Sequence, residues 1–136
     1  MKVFVSTCEI DRPQAVALIE SLRAHGFSVT HTTGFDPHLW NGGRYSGECA
    51  PALAGVDVFI AVITECWKYS TLMKAEAIDA ANCCDHGGIQ RMCYFNPGGF
   101  DVTDTELLLA GREPIPLLRE RLPDDLDNLI RALKEE

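Results

Sequence analysis

The chain alternates short apolar runs with amphipathic stretches, and its most apolar run lies near the middle. Val58 to Ile63 (VFIAVI) is unbroken by polar residues and rich in β-branched ones. Such a run suits a strand covered on both faces, as in a parallel sheet between helix layers. Lys2 to Ser6 (KVFVS) predicts a first strand. Asp11 then offers an N-cap, and Pro13 fits the first helical turn, where its missing N–H costs nothing. Ala15, Leu18, Ile19 and Leu22 recur at helical spacing, and Gly26 suits the position just past a helix end. Phe27 to Thr30 predicts a second strand. Strand, helix and strand in this order make a βαβ unit, with parallel strands and a right-handed crossover.

Thr32 to Tyr45 is a long irregular connection carrying Gly34, Asp36-Pro37, Trp40 and Asn41-Gly42-Gly43. A loop of that length inside a compact domain is more often functional than idle. A short helix with Cys49 and Leu53 one turn apart leads into the central strand. Thr71 to Cys83 predicts an Ala-rich helix, capped by Ser70 or Thr71, that buries Leu72, Ala75 and Ile78 or their neighbours. Ile89 to Phe95 predicts a fourth strand, with Asn96-Pro97-Gly98-Gly99 turning out of it. Thr103 and Glu106 have capping-box spacing ahead of Leu107 to Leu109, which predicts a short helix. Pro114 to Leu117 suits a fifth, edge strand, where proline is tolerated. Asp124 is the expected cap of a last helix whose core face is Leu126, Leu129, Ile130 and Leu133. The sum is one domain over residues 1–136 with a flavodoxin-like α/β fold. It is a three-layer sandwich whose five-stranded, mainly parallel sheet carries helices on both faces.

Composition narrows the function classes. Hydrophobic content of 46% and charged content of 24% are ordinary for a globular protein. The net charge of −8 argues against nucleic acid or an anionic membrane as a partner. No signal-peptide pattern opens the chain and no apolar stretch approaches the ~20 residues that span a bilayer, so a cytoplasmic location is expected. The six cysteines form no CxxC pair, and reduced core thiols are the expected role. Cys83, Cys84, His86 and Cys93 could be drawn together as metal ligands, but adjacent cysteines on a helix diverge and no zinc spacing appears. No metal site is expected.

Glu76 is the candidate centre of chemistry. It follows the central strand by little more than a turn of chain and a helix start, which brings it toward the rim where open α/β sheets bind ligands. Taken alone, a helix glutamate is commonly a solvated one. Ser6 and Thr7 end the first strand at the same rim, where turn hydrogen bonding is the alternative role. Ser70 is equally a helix cap, and Asp11 is first of all an N-cap. Trp40, Arg44 and Tyr45 lie in or beside the long loop. There an aromatic ring can stack on a base and Arg44 can meet a pyrophosphate bidentately, or the three can anchor the loop or a subunit contact. The first turn, Ser6-Thr7-Cys8-Glu9-Ile10-Asp11, has no glycine to admit a pyrophosphate, which argues against a dinucleotide-binding Rossmann turn and a P-loop. The central strand ends Ile63-Thr64-Glu65, without the aspartate of a phosphoacceptor receiver domain.

Four segments resemble a Toll/interleukin-1 receptor (TIR) domain, in order and in spacing. FVSTCEIDR (4–12) is similar to the TIR opening, and LIESLRAHGFSV (18–29) to its first helix and second strand. GGRYSGECAPAL (42–53) resembles the end of the BB loop and the next helix. VDVFIAVITECWKYSTLMKAE (56–76) resembles the third strand and the serine-led segment that ends in the glutamate of enzymatic members. The chain departs from the pattern at Leu72-Met73, where members often carry Trp-Cys, and at Thr64, where serine is common.

The resemblance implies cleavage of NAD⁺ between nicotinamide and ribose, giving ADP-ribose or a cyclised isomer, with Glu76 catalytic. NAD⁺ enters as substrate, and no cofactor is implied. Nicotinamide in NAD⁺ is already a cationic leaving group, so one carboxylate near the anomeric carbon suffices for an oxocarbenium-like transition state. The same resemblance implies TIR–TIR homo-oligomers and, by analogy with stand-alone prokaryotic examples, a nucleotide signal to a separate effector in antiviral defence. Two other functions stay open at this point. One is a nucleoside 2-deoxyribosyltransferase-like N-glycosidase, and the other is a non-enzymatic TIR adaptor.

Overall fold

The computed structural model describes residues 1–7, 12–31, 55–65, 77, 80–81, 88–100, 106–107, 115–116 and 118–134. Strands β1 (Lys2–Ser6), β2 (Ser28–His31), β3 (Val58–Val62), β4 (Arg91–Phe95) and β7 (Glu120–Arg121) form one sheet in the order β2-β1-β3-β4-β7. All four pairings are parallel, with Val3 level with both Val29 and Val58, and Ile60 level with Cys93. This is the flavodoxin-like order expected from the sequence.

Every residue of β3 is buried, because side chains alternate across a strand and both faces here are covered. Val58, Ile60 and Val62 pack with Val3, Val5, Cys93 and Phe95 beneath two helices, α1 (Arg12–Ala24) and α2 (Leu126–Lys134). Leu18 and Leu22 of α1 and Leu129 and Leu133 of α2 complete that layer. Phe59, Ala61 and Ile63 face the other way, with Phe4 and Met92, against Ala77, Ala80 and Ala81. Those three alanines are helical and fall at i, i+3 and i+4, a single small-residue face laid on the sheet. Phe4 and Phe59 stack beneath them with centroids 5.8 Å apart and rings 9° from parallel.

Helix α1 ends as its glycine predicts. Gly26 has φ +89°, and Phe27 N–H donates to Leu22 O while Gly26 N–H donates to Arg23 O, both at 3.1 Å. This is the Schellman pattern. It explains why β2 begins at Ser28 and not at Phe27, whose ring is used to close the helix end against the same apolar layer as Leu22.

The distal third departs from expectation in three places. Glu106–Leu107 is a strand, β5, paired antiparallel with β6 (Ile115–Pro116), where a capped helix over Leu107 to Leu109 was expected. At Glu106 and Leu107 cross-strand pairing with Pro116 and Ile115 takes the place of a helical turn. The proline-bearing strand therefore belongs to this small ribbon, and the fifth strand of the main sheet is Glu120–Arg121. Helix α2 is capped by Asp125, not Asp124: Asp125 Oδ2 accepts from Asn128 N–H at 3.2 Å, and its carbonyl accepts from Leu129 N–H at 2.8 Å. Asp124 instead faces Arg121 at 3.5 Å.

A polar clamp joins β4, β7 and α2. Arg91 donates through Nε and Nη2 to the Glu120 carboxylate at 2.7 to 3.0 Å, and through Nη1 to Ala132 O at 3.1 Å, near the helix C-terminus. Cys93 Sγ donates to Glu120 Oε2 at 3.0 Å. The hydrogen bonds from Arg91 hold the Glu120 carboxyl below the usual carboxylate range, against the opposing effect of partial burial. Burial pushes the Cys93 thiol up, so it stays protonated as a donor. Cys93 lies on the sheet face opposite Ala80 and Ala81.

Because the folded state depresses the Glu120 pKa, its contribution is present above the ordinary glutamate range and disappears as pH falls through the folded value. Glu120→Gln is expected to cost on the order of 1 kcal/mol at neutral pH, since the pair is part-exposed. Urea unfolding of both proteins should show that difference vanish in acid. A second expectation concerns Cys93: its thiol should resist alkylation in the native chain and react freely once urea has unfolded it, as mass spectrometry would read.

Candidate functional site

The strand order singles out one edge of the sheet. From β1 the chain runs through α1 to β2 on one side, while the connection from β3 passes over the opposite face to β4. Connections that diverge in this way mark the topological switch point of an open parallel sheet, here at the carboxyl ends of β1 and β3. Ser6 and Thr7 end β1 there, and Thr64 and Glu65 follow β3.

Burial singles out the same edge. Among the described residues the buried polar ones are Ser6, Thr64 and Asn96, each at the carboxyl end of a different central strand. A buried polar group is costly unless hydrogen-bonded, and all three have partners. Ser6 lies level with Ala61 and shares a sheet face with Phe4 by strand alternation. That is the face covered by Ala77, the residue after Glu76. The amino edge, by contrast, is held by Asp57. Its Oδ2 accepts from Lys2 N–H at 2.9 Å, its N–H donates to Lys2 O at 2.8 Å, and its carbonyl accepts from Gln90 N–H at 2.8 Å.

Asn96 shapes the rim beyond β4. Its Nδ2 donates to Phe100 O at 2.9 Å and its Oδ1 accepts from Phe100 N–H at 3.0 Å. Its carbonyl accepts from Gly99 N–H at 3.2 Å and from Arg121 Nη2 at 3.0 Å. Gly99 has φ +67°, which favours glycine. At Gly98 a Cβ would collide with the Phe100 ring, so the ring rests directly on the glycine backbone. The sequence marks Asn96-Pro97-Gly98-Gly99 as a turn and gives no sign that Asn96 is buried.

Of the residues expected to form a site, Ser6 and Thr7 stand at the rim, with Ser6 fully buried and Thr7 partly so. Glu76, Ser70, Asp11, Trp40, Arg44 and Tyr45 lie outside the described residues. Thr64 is a buried member of the rim. Among the described residues no group of three or more His, Cys, Asp or Glu is placed to hold a metal ion. Nor is any described helix long and apolar enough to cross a membrane. Comparison with protein-family models, curated proteins and solved structures finds no significant match to this chain.

Asn96→Ala removes both bonds to Phe100 and is expected to cost about 2 kcal/mol, at roughly 1 kcal/mol per hydrogen bond. Thermal and urea unfolding would measure it, with changed amide shifts at Gly99 and Phe100 as the local sign.

Proposed function

We propose that this chain is a TIR-type enzyme that cleaves the nicotinamide–ribose bond of NAD⁺, with Glu76 as its carboxylate. The observation that supports the reading best is the gathering of buried polar residues at the carboxyl edge of the sheet. Ser6 stands on the face to which the helix bearing Ala77 packs. Glu76 precedes Ala77 in the connection that follows β3, and ligands of open parallel sheets bind outside the carboxyl ends of the strands. The TIR-like segments of the sequence supply the substrate class.

In this reading the ribose sits at the β1/β3 crevice, within reach of Ser6 and Thr7. The C1′–N bond breaks with its electron pair leaving on nicotinamide, which departs neutral and needs no acid. The carboxylate of Glu76 stabilises the positive charge growing on C1′, or bonds to it transiently. Water then adds at C1′ and loses a proton to give ADP-ribose, or a nitrogen of the adenine adds to give a cyclic isomer. Trp40, Arg44 and Tyr45 would contact the nucleotide from the long loop, with Ser70 and Asp11 at the ends of flanking helices. Association of several copies would complete the pocket, and the product would act as a signal to a separate effector in antiviral defence.

The test is NAD⁺ cleavage at high protein concentration, followed by product chromatography. The native chain is expected to release nicotinamide, and Glu76→Gln to lose on the order of a hundredfold or more in rate, as when one transition-state group is removed. Equal unfolding midpoints would show that the variant is folded. Undiminished turnover by Glu76→Gln overturns the assignment. No turnover by the native chain at any concentration leaves an interaction module, and base exchange on deoxynucleosides points to a transferase.

A further inference from the structure

The carboxyl ends of β4 and β7 carry two exposed groups that the cleavage step does not use. Phe100 is 40% exposed, the one aromatic among the large apolar residues found exposed in the described part of the chain. Its backbone is pinned in both directions by the Asn96 side chain, and its ring rests on Gly98. A ring held this way has little conformational entropy left to lose when something stacks on it. One part of the ring is covered by the turn, and the 40% that stays exposed is apolar surface left in water.

The second group is Arg121. Its side chain is half exposed, and its Nη2 donates to Asn96 O at 3.0 Å and to Asp124 Oδ1 at 3.5 Å. Among the described residues, Nη2 carries all of its hydrogen bonds, which leaves the Nε side of the fork open. The Asp124 pair is long and solvated and yields readily to a better acceptor. The net charge of −8 opposes anions at a distance, but salt screens that field beyond about 10 Å. Asn96 thus holds the Phe100 backbone through its side chain and the Arg121 guanidinium through its carbonyl, so one buried residue anchors both groups.

We propose that Asn96 assembles a nucleoside-phosphate subsite, in which Phe100 stacks on the base and Arg121 takes the phosphate. Neither group alone discriminates: a ring stacks on any planar base, and a guanidinium pairs with any oxyanion. Together they select an aromatic heterocycle that carries a phosphate. Such a ligand has two sources. The strands that carry the subsite, β4 and β7, stand two and three strand spacings, about 10 to 15 Å, from β1, so it can receive the far half of a dinucleotide whose other ribose lies at the carboxyl ends of β1 and β3. It can equally receive a separate mononucleotide. The subsite does not depend on NAD⁺ cleavage.

Adenosine 5′-monophosphate titrated into the full chain, followed by amide and aromatic NMR shifts, tests the proposal directly. Saturable shifts are expected at Asn96, Gly99, Phe100 and Arg121. Phe100→Ala and Arg121→Gln should each weaken binding about tenfold, as loss of one stacking or one charge-assisted contact does. Adenosine alone and inorganic phosphate alone should bind at least about tenfold more weakly, each lacking one of the two contacts. Phe100→Trp should retain affinity, and amide spectra that keep the native dispersion would show that each variant is folded. Unchanged affinity in either weakening variant, or shifts confined to another part of the chain, overturns it. The source is read from NAD⁺ kinetics in the same variants: a raised KM with kcat held assigns the far half of the dinucleotide, and an unmoved KM a separate mononucleotide. Should the native chain fail to cleave NAD⁺ at all, the cleavage reading falls while the titration still judges the subsite.

Discussion

Burial of β3 on both faces is the constraint from which the rest of the fold follows. A strand of Val58, Phe59, Ile60, Ala61 and Val62 has no side to give to water. It must lie inside a sheet, with a layer on each face, and its flanking strands must be connected over those faces. Right-handed crossovers then set α1 on one face and the alanine-bearing helical segment on the other. The divergence of the connections at the carboxyl ends of β1 and β3 is a by-product of covering this one strand.

The two edges of the sheet are finished in different ways. At the amino edge Asp57 ties β1 to the start of β4 mainly through backbone groups. At the carboxyl edge polar side chains are buried at successive strand ends. Burying polar groups in this position, where each must be satisfied individually, fixes the edge in one arrangement more tightly than apolar packing would. The Arg91–Glu120–Cys93 clamp does comparable work on the flank. It attaches a two-residue strand, too short to hold by pairing alone, to both β4 and the C-terminal turn of α2.

Much of the fold was legible in the sequence because its signals were redundant. The β-branched runs gave β1 and β3, helical spacing gave α1 and α2, and Gly26 marked a helix end that three separate observations bear out. Where a signal stood alone it misled. Capping-box spacing at Thr103 and Glu106 had no amphipathic run behind it, and β5 formed instead. Glu120–Arg121 was invisible as a strand, because both residues are charged and the pair is held by side-chain chemistry from Arg91. Adjacent Asp124 and Asp125 are equivalent to a pattern reader and are told apart only by where the helix turns begin. The site was legible as a rim, through Ser6 and Thr7 at the end of a strand. The burial of Asn96 was not, since a turn sequence looks the same whether its first residue faces water or protein.

The pairing of β1 with β3 has a consequence for how the chain reaches this structure. Lys2 and Asp57, which hydrogen-bond at 2.9 Å, are 55 positions apart. On a ribosome the first strand is therefore made long before its central neighbour exists. Of the described elements, β1, α1 and β2 alone can form during that interval, with one flank of β1 open. The cost of closing so long a loop grows only as the logarithm of its length, but it falls before any of the central contacts repay it. Consolidation of the core thus waits on synthesis of the middle of the chain, and the emerging amino-terminal unit has to remain soluble until then.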